Sequence, residues 1–117
     1  MTRCYHADLG IPDDIADPVA GVALTYTLHA HTAAVQDRVR LPAALPPYTL
    51  VEVEATRDNA PLKWVVRCAL DTTRDLVLAI TSTYLVKTVW VNDRRDDHAT
   101  LDRTRYDRPE KKRRFLV

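Results

Sequence analysis

Hydrophobic and polar positions alternate along GVALTYTLHA (21–30). Val22, Leu24, Tyr26 and Leu28 fall on one side, and Ala23, Thr25, Thr27 and His29 on the other. Period-two alternation predicts a strand. The period changes in HTAAVQDRVRL (31–41), where Val35 and Val39 lie four apart among fair helix formers. That spacing predicts a helix from about 30 to 40, ended by Pro42. Pro42, Pro46 and Pro47 make the next stretch a connector. Everything from Tyr48 to Asn92 then reads as strand: TLVEVEAT, LKWVVRCAL, DLVLAIT and LVKTVWV, separated by the turns RDNAP, DTTR and STY. DLVLAIT is apolar on both faces, as a central strand is. The short connections require antiparallel neighbours. The expected fold is therefore α+β: an N-terminal helix packed on a four-stranded antiparallel β-meander, with a short helical or irregular C-terminal tail. Residues 1–20 read as an irregular lead-in, with TLVEVEAT as an edge strand guarded by Glu52 and Glu54. Residues 93–106 read as a polar stretch anchored by Leu101 and Tyr106, with Asp97 as the N-cap of a helical turn. Residues 108–117 read as a basic tail.

Strand parity assigns the two faces of the meander. Trp64, Val66, Cys68 and Leu70 share the bulkier side of their strand, and Lys63, Val65, Arg67 and Ala69 share the other. In the last strand Val86, Thr88, Trp90 and Asn92 share a side, opposite Leu85, Val89 and Val91. With the aliphatic sides turned to the helix, Arg67, Thr88, Trp90 and Asn92 share an open face. Lys87 then sits among the core positions, so it snorkels from the edge or the faces are reversed. A guanidinium anchors phosphate, and an indole stacks a base. A solvated face with ordinary cross-strand pairs is the competing reading.

Composition narrows the classes. The chain has 117 residues, 46% hydrophobic and 28% charged, which is one ordinary globular domain's worth. Its net charge of +1 excludes a uniformly basic nucleic-acid coat. Charge is uneven, however. Residues 92–117 hold 9 basic and 6 acidic side chains, including the run Lys111, Lys112, Arg113 and Arg114. That run is a solvated tail or a phosphate-binding arm. Only Gly10 and Gly21 are glycine, so Gly-rich phosphate loops are absent. The two cysteines, Cys4 and Cys68, match no metal motif, and no cofactor is expected. No apolar run is long enough to span a membrane and no leader stretch is visible, so a cytoplasmic location without membrane partners is expected.

Four histidines bear on chemistry. His6 lies among few anchors and reads as incidental. His29 and His31 point the same way on a strand, where they chelate, but diverge on a helix, and no third ligand accompanies them. No metal site is therefore assigned. His98 follows Asp96 and Asp97, whose charges favour its protonated form.

The order of these features resembles a known family. Tyr-Thr-Leu-His-Ala (26–30), Asp37-Arg38 and the later Val-Val-Arg (65–67), Asp-Leu-Val-Leu (75–78) and Lys-Thr-Val-Trp (87–90) resemble the small toxin ribonucleases of the barnase–EndoU–colicin–RelE superfamily. The resemblance covers about residues 24–106. It implies a metal-independent endoribonuclease acting on RNA by transesterification. His29 matches the helix histidine, Arg67 the mid-sheet cation and Thr88 the late-strand hydroxyl. His98 and Tyr106 stand where a late acid–base or stacking residue falls. His29 or His98 then serve as base and acid, Arg67 as phosphate clamp, and Thr88 or Tyr106 as positioning hydroxyls. Trp90, Asn92, Lys63 and the 111–114 cations complete the RNA surface. Ala33 stands where the family carries an arginine. A non-catalytic interaction protein, with a protein partner or antidote, is the alternative.

Overall fold

Strands form where the alternation is cleanest. The computed structural model describes residues 1–95 and 101–109. Its elements are β1 (Thr2–His6), β2 (Thr25–Tyr26), α1 (Leu28–Gln36), β3 (Thr49–Thr56), β4 (Pro61–Ala69), β5 (Arg74–Thr81) and β6 (Leu85–Asp93). Single tight helical turns lie at Ala7–Leu9 and Arg103–Arg105. The strands make one sheet in the order β1-β3-β4-β5-β6-β2. Neighbours are antiparallel except β2 and β6, which run parallel.

The expected architecture of a helix on a four-stranded meander is thus overturned. The sheet has six strands and is mixed, and two strands precede the helix. Strand β1 comes from the supposed irregular lead-in. It pairs with β3 from Thr2↔Thr56 to His6↔Glu52, so TLVEVEAT is an interior strand and not an edge. Five residues with one large apolar side chain carry too little pattern to announce a strand. Strand β2 is only two residues long because Thr27 ends it. Thr27 turns to the N-cap position, and its Oγ1 accepts from Ala30 N at 3.1 Å. The alternation that suggested a strand over 21–30 therefore gives way to helix at Leu28, about two residues before the expected start. Leu28 is left 83% exposed. The helix closes at Gln36, and Arg38 takes a left-handed φ of 55° in the place that glycine usually fills.

Two bulges correct the faces. The β5–β6 register steps from Ala79↔Thr88 to Ile80↔Val86, so Lys87 is an extra, exposed residue. Val86 turns to the same side as Val89 and is fully buried, where simple parity had put it beside Thr88. This resolves the misplaced lysine without reversing the sheet. The β3–β4 register skips Val51 in the same way, turning both Val51 and Glu52 to the second face.

The first face carries the main core. Trp64, Val66, Cys68, Leu76, Leu78, Ile80, Val86 and Val89 form one buried cluster with Ala30 and Ala34 of α1. Small residues at Ala30 and Ala34 let the helix backbone approach the sheet. Loops finish this layer, tied down by the polar tips of aromatic side chains. Trp64 Nε1 donates to Ala16 O at 3.0 Å, and Tyr84 Oη accepts from Val19 N at 3.0 Å. Tyr48 and Tyr26 donate to the carbonyls of Pro18 and Pro42. Among the described residues the second face has a small apolar patch, Val65, Val77 and Ala79 with Val51. No helix among the described residues is long and apolar enough to cross a membrane.

Candidate functional site

The second face gathers polar chemistry around that patch. Register places Arg67 opposite Val77, and Val77 opposite Trp90, so the guanidinium and the indole lie in one row across β4–β5–β6. The chain then returns across this face. Asp107 N donates to Cys4 O at 2.8 Å, and Cys4 N donates to Asp107 Oδ2 at 2.9 Å, which closes the outer edge of β1. This docking sets Tyr106 over the sheet. The result is a hollow of about 180 Å³ bounded by Arg67, Trp90, Asn92, Tyr106, Glu52 and the valines beneath.

Arg67 is held firmly. Its Nη2 lies 3.2 Å from Asp75 Oδ2 and donates to Asp93 O at 2.8 Å. The two charged side chains are only 9% and 14% exposed, so desolvation and attraction are both large here. Asp75 also receives Arg94, whose Nε lies 3.0 Å from Oδ1. One carboxylate thus serves two guanidiniums. Arg94 is fixed further by the carbonyls of Asp71, Thr72 and Arg74.

Tyr106 lies against the far wall. Burial, then its hydrogen bond to Glu52, pushes the phenol well above its ordinary range, so it stays a neutral donor to the carboxylate. The ring also meets His6 edge-on, with centroids 5.0 Å apart. His6 is 2% exposed, and its Nδ1 accepts from Asp8 N at 3.0 Å, which puts the proton of the neutral ring on Nε2.

The residues singled out from the sequence divide into three groups. Arg67, Trp90, Asn92 and Tyr106 meet at the hollow. Thr88 and Lys63 share the face but lie outside it. Thr88 is one row along and two strands over from Arg67, about 12 Å by sheet spacing. Lys63 pairs with Glu54. His29 belongs to α1, which covers the first face, and is exposed there, so it does not meet Arg67. His31 leans on Tyr26 instead, with centroids 5.7 Å apart. His98, Asp97, Lys111, Lys112, Arg113 and Arg114 lie outside the described residues. Among the described residues no group of three His, Cys, Asp or Glu side chains gathers as a metal site.

Sequence reasoning passed over Glu52, Asp75, Arg94 and His6. Glu52 read as an edge guard, and only the bulge at Val51 turns it beside Val65. His6 depended on recognising β1. For Asp75 a signal existed: its position opposite Ala69, on the face of Arg67, follows from the tight DTTR turn once the hairpin is drawn.

No protein-family model, curated protein or solved structure matches this chain.

Proposed function

We propose that this chain is an acid–base endoribonuclease whose site is the hollow on the second sheet face. The observation that supports this reading is the convergence there of Arg67, Trp90, Asn92 and Tyr106 with the carboxylate of Glu52. These are the groups that phosphodiester transfer requires: a fixed cation, a proton acceptor, and polar and flat surfaces to hold a nucleotide. Glu52 takes the proton of a ribose 2′-hydroxyl while Tyr106 holds the carboxylate in place. The 2′-oxygen forms a bond to the adjacent phosphorus, and Arg67 stabilises the charge that builds on the phosphoryl oxygens. The bond from phosphorus to the 5′-oxygen breaks, and that oxygen takes a proton from solvent water. The products are a 2′,3′-cyclic phosphate and a 5′-hydroxyl. Trp90 stacks the base and Asn92 meets its polar edge. His29 has no part in this scheme.

The test is incubation of an RNA oligonucleotide with the wild-type protein and with Glu52→Gln, followed by analysis of the new ends. The expected result is cyclic-phosphate ends from the wild type and a rate lower by about 10²–10⁴-fold in Glu52→Gln, the usual worth of a general base. Equal rates in the two proteins would contradict the assignment of the base. Absence of cleavage by the wild type would contradict the activity.

Two observations favour a second reading, a non-catalytic interaction protein. The chain's 17 basic and 16 acidic side chains leave a net charge of only +1, and Arg67 already has a carboxylate partner. A partner protein that binds wild type and Glu52→Gln alike, with no RNA cleaved, would support it.

A further inference from the structure

Helix α1 carries apolar side chains on two opposite sides. Ala30 and Ala34 are buried in the core, whereas Leu28 and Val35 are 83% and 76% exposed. Successive residues advance by about 100° around a helix, so Leu28, Thr32 and Val35 form one outward stripe opposite the alanines. A surface helix ordinarily turns charged residues to that side. This one has no Asp, Glu, Lys or Arg among its nine residues. Its ends are uncompensated as well. The helix dipole favours an acidic group at the N-terminus and a basic one at the C-terminus. Here the first turn has no acid, the last turn has no base, and the C-cap is Asp37. Exposed Lys87 stands at the opposite end, where Thr27 Oγ1 donates to its carbonyl at 2.8 Å. Among the described residues neither Asp37 nor Lys87 forms an ion pair.

We propose that the outward face of α1 receives the α1 of a second copy of this chain, antiparallel about a two-fold axis. The inference does not depend on the ribonuclease reading. An axis between His31 and Thr32 sets Leu28 of each copy against Val35 of the other. The same rotation carries the N-terminal end of each helix to the C-terminal end of its mate. Lys87 of each copy then meets Asp37 of the other, and each helix dipole lies against an opposed one. A two-fold contact needs a surface that complements itself. This surface does so: apolar side chains meet in the middle and opposite charges meet at both rims. The groups that complement one another all lie on this chain, which selects a second copy over an unrelated protein. Beyond Asp37 the chain leaves the helix axis through Arg38, at φ 55°, and returns to the core with Val39 and Leu41, carrying Arg40 with it. Two aliphatic side chains per copy make a small contact, so the dimer belongs to the weak, transient class.

Sedimentation equilibrium of the wild-type chain tests this. From about 10 µM to about 1 mM, a span in which a weak contact fills, the average mass is expected to rise from the monomer toward twice that value. Leu28→Glu or Val35→Glu buries an unpaired carboxylate at the centre of the contact. Each is expected to stay monomeric over the whole range while keeping the wild-type thermal transition, because both positions are exposed. Lys87→Glu alone, and Asp37→Lys alone, oppose like charges at both rims. Each is expected to weaken self-association by about threefold to tenfold, the scale of two exposed ion pairs. A mixture of those two variants restores opposite charges at both rims, and its mixed dimer is expected to form more tightly than either variant with itself. A wild-type chain that stays monomeric throughout would overturn the proposal and leave the stripe to another kind of partner. So would a dimer that survives both glutamate variants, since its contact would lie elsewhere. A mixture no tighter than the separate variants would overturn the antiparallel arrangement.

Discussion

At the scale of single residues, the second face is organised by one carboxylate. Asp75 meets Arg67 and Arg94 through separate oxygens, and its side chain is 14% exposed. Replacing it with asparagine keeps the shape and removes the charge that two cations share. Removing one partner of a buried pair leaves the other uncompensated, at a cost of roughly 3 kcal/mol. Asp75→Asn is therefore expected to lose about that much unfolding free energy, seen as a lower urea midpoint. It is also expected to cleave RNA more slowly, because Arg67 loses its fixed aim. A variant with wild-type stability and wild-type cleavage would show that the cluster neither holds the fold nor positions the clamp.

At the scale of elements, the bulge at Lys87 decides which side chains meet the core. Val86 and Val89 are both buried on the α1 side although they lie three positions apart, which unbroken alternation forbids. Deleting Lys87 brings Val86 and Val89 two positions apart, so simple alternation keeps both on the core face. The deletion is therefore expected to keep a cooperative thermal transition, and loss of that transition would contradict this reading of the bulge. Lys87→Ala keeps the extra residue and is expected to unfold like the wild type. This element also shows what the sequence discloses. The four strands from Thr49 to Asp93 are visible as alternation bounded by turn residues, and Arg67, Trp90 and Asn92 follow to one face by parity. A bulge leaves no such mark: the lysine among valines was the single hint, and it signals only that the register breaks. The helix was visible too, but its start was not, because Thr27 serves equally as a strand residue and as an N-cap.

At the scale of the whole molecule, the chain closes on itself through contacts distant in sequence. Strand β1 pairs with β3, and Asp107 pairs back onto Cys4 across 103 positions. Such pairings depend on partners that local pattern cannot name. That is why the six-stranded sheet, the Glu52–Tyr106 contact and His6 were not legible, whereas the meander was. Burial of ionisable groups in this closed form has a consequence for pH. Burial pushes the Cys4 and Cys68 thiols up to about 11, and the Tyr26 phenol to about 12. The folded protein holds these protons more tightly than the unfolded chain does. Their contribution to stability is complete below about pH 9 and is lost as pH rises through 11 to 12. Urea midpoints measured at pH 8, 10 and 11.5 are expected to be highest at pH 8 and to fall at each step. A midpoint that rises or stays level over that span would contradict the burial of these groups.

The proposed function requires a nucleotide on the second face of the sheet, and the two tryptophans report which face receives one. Trp90 borders the small hollow at 37% exposure, while Trp64 is buried on the α1 side with its indole N–H on Ala16 O. The ¹H–¹⁵N spectrum of the protein titrated with a dinucleotide that carries 2′-deoxyribose at its 5′ residue, and so cannot be cleaved, therefore carries one indole signal from each face. The expected result is a saturable shift of the Trp90 indole with Trp64 unmoved. A shift of Trp64 or of the α1 amides, with Trp90 silent, would contradict it.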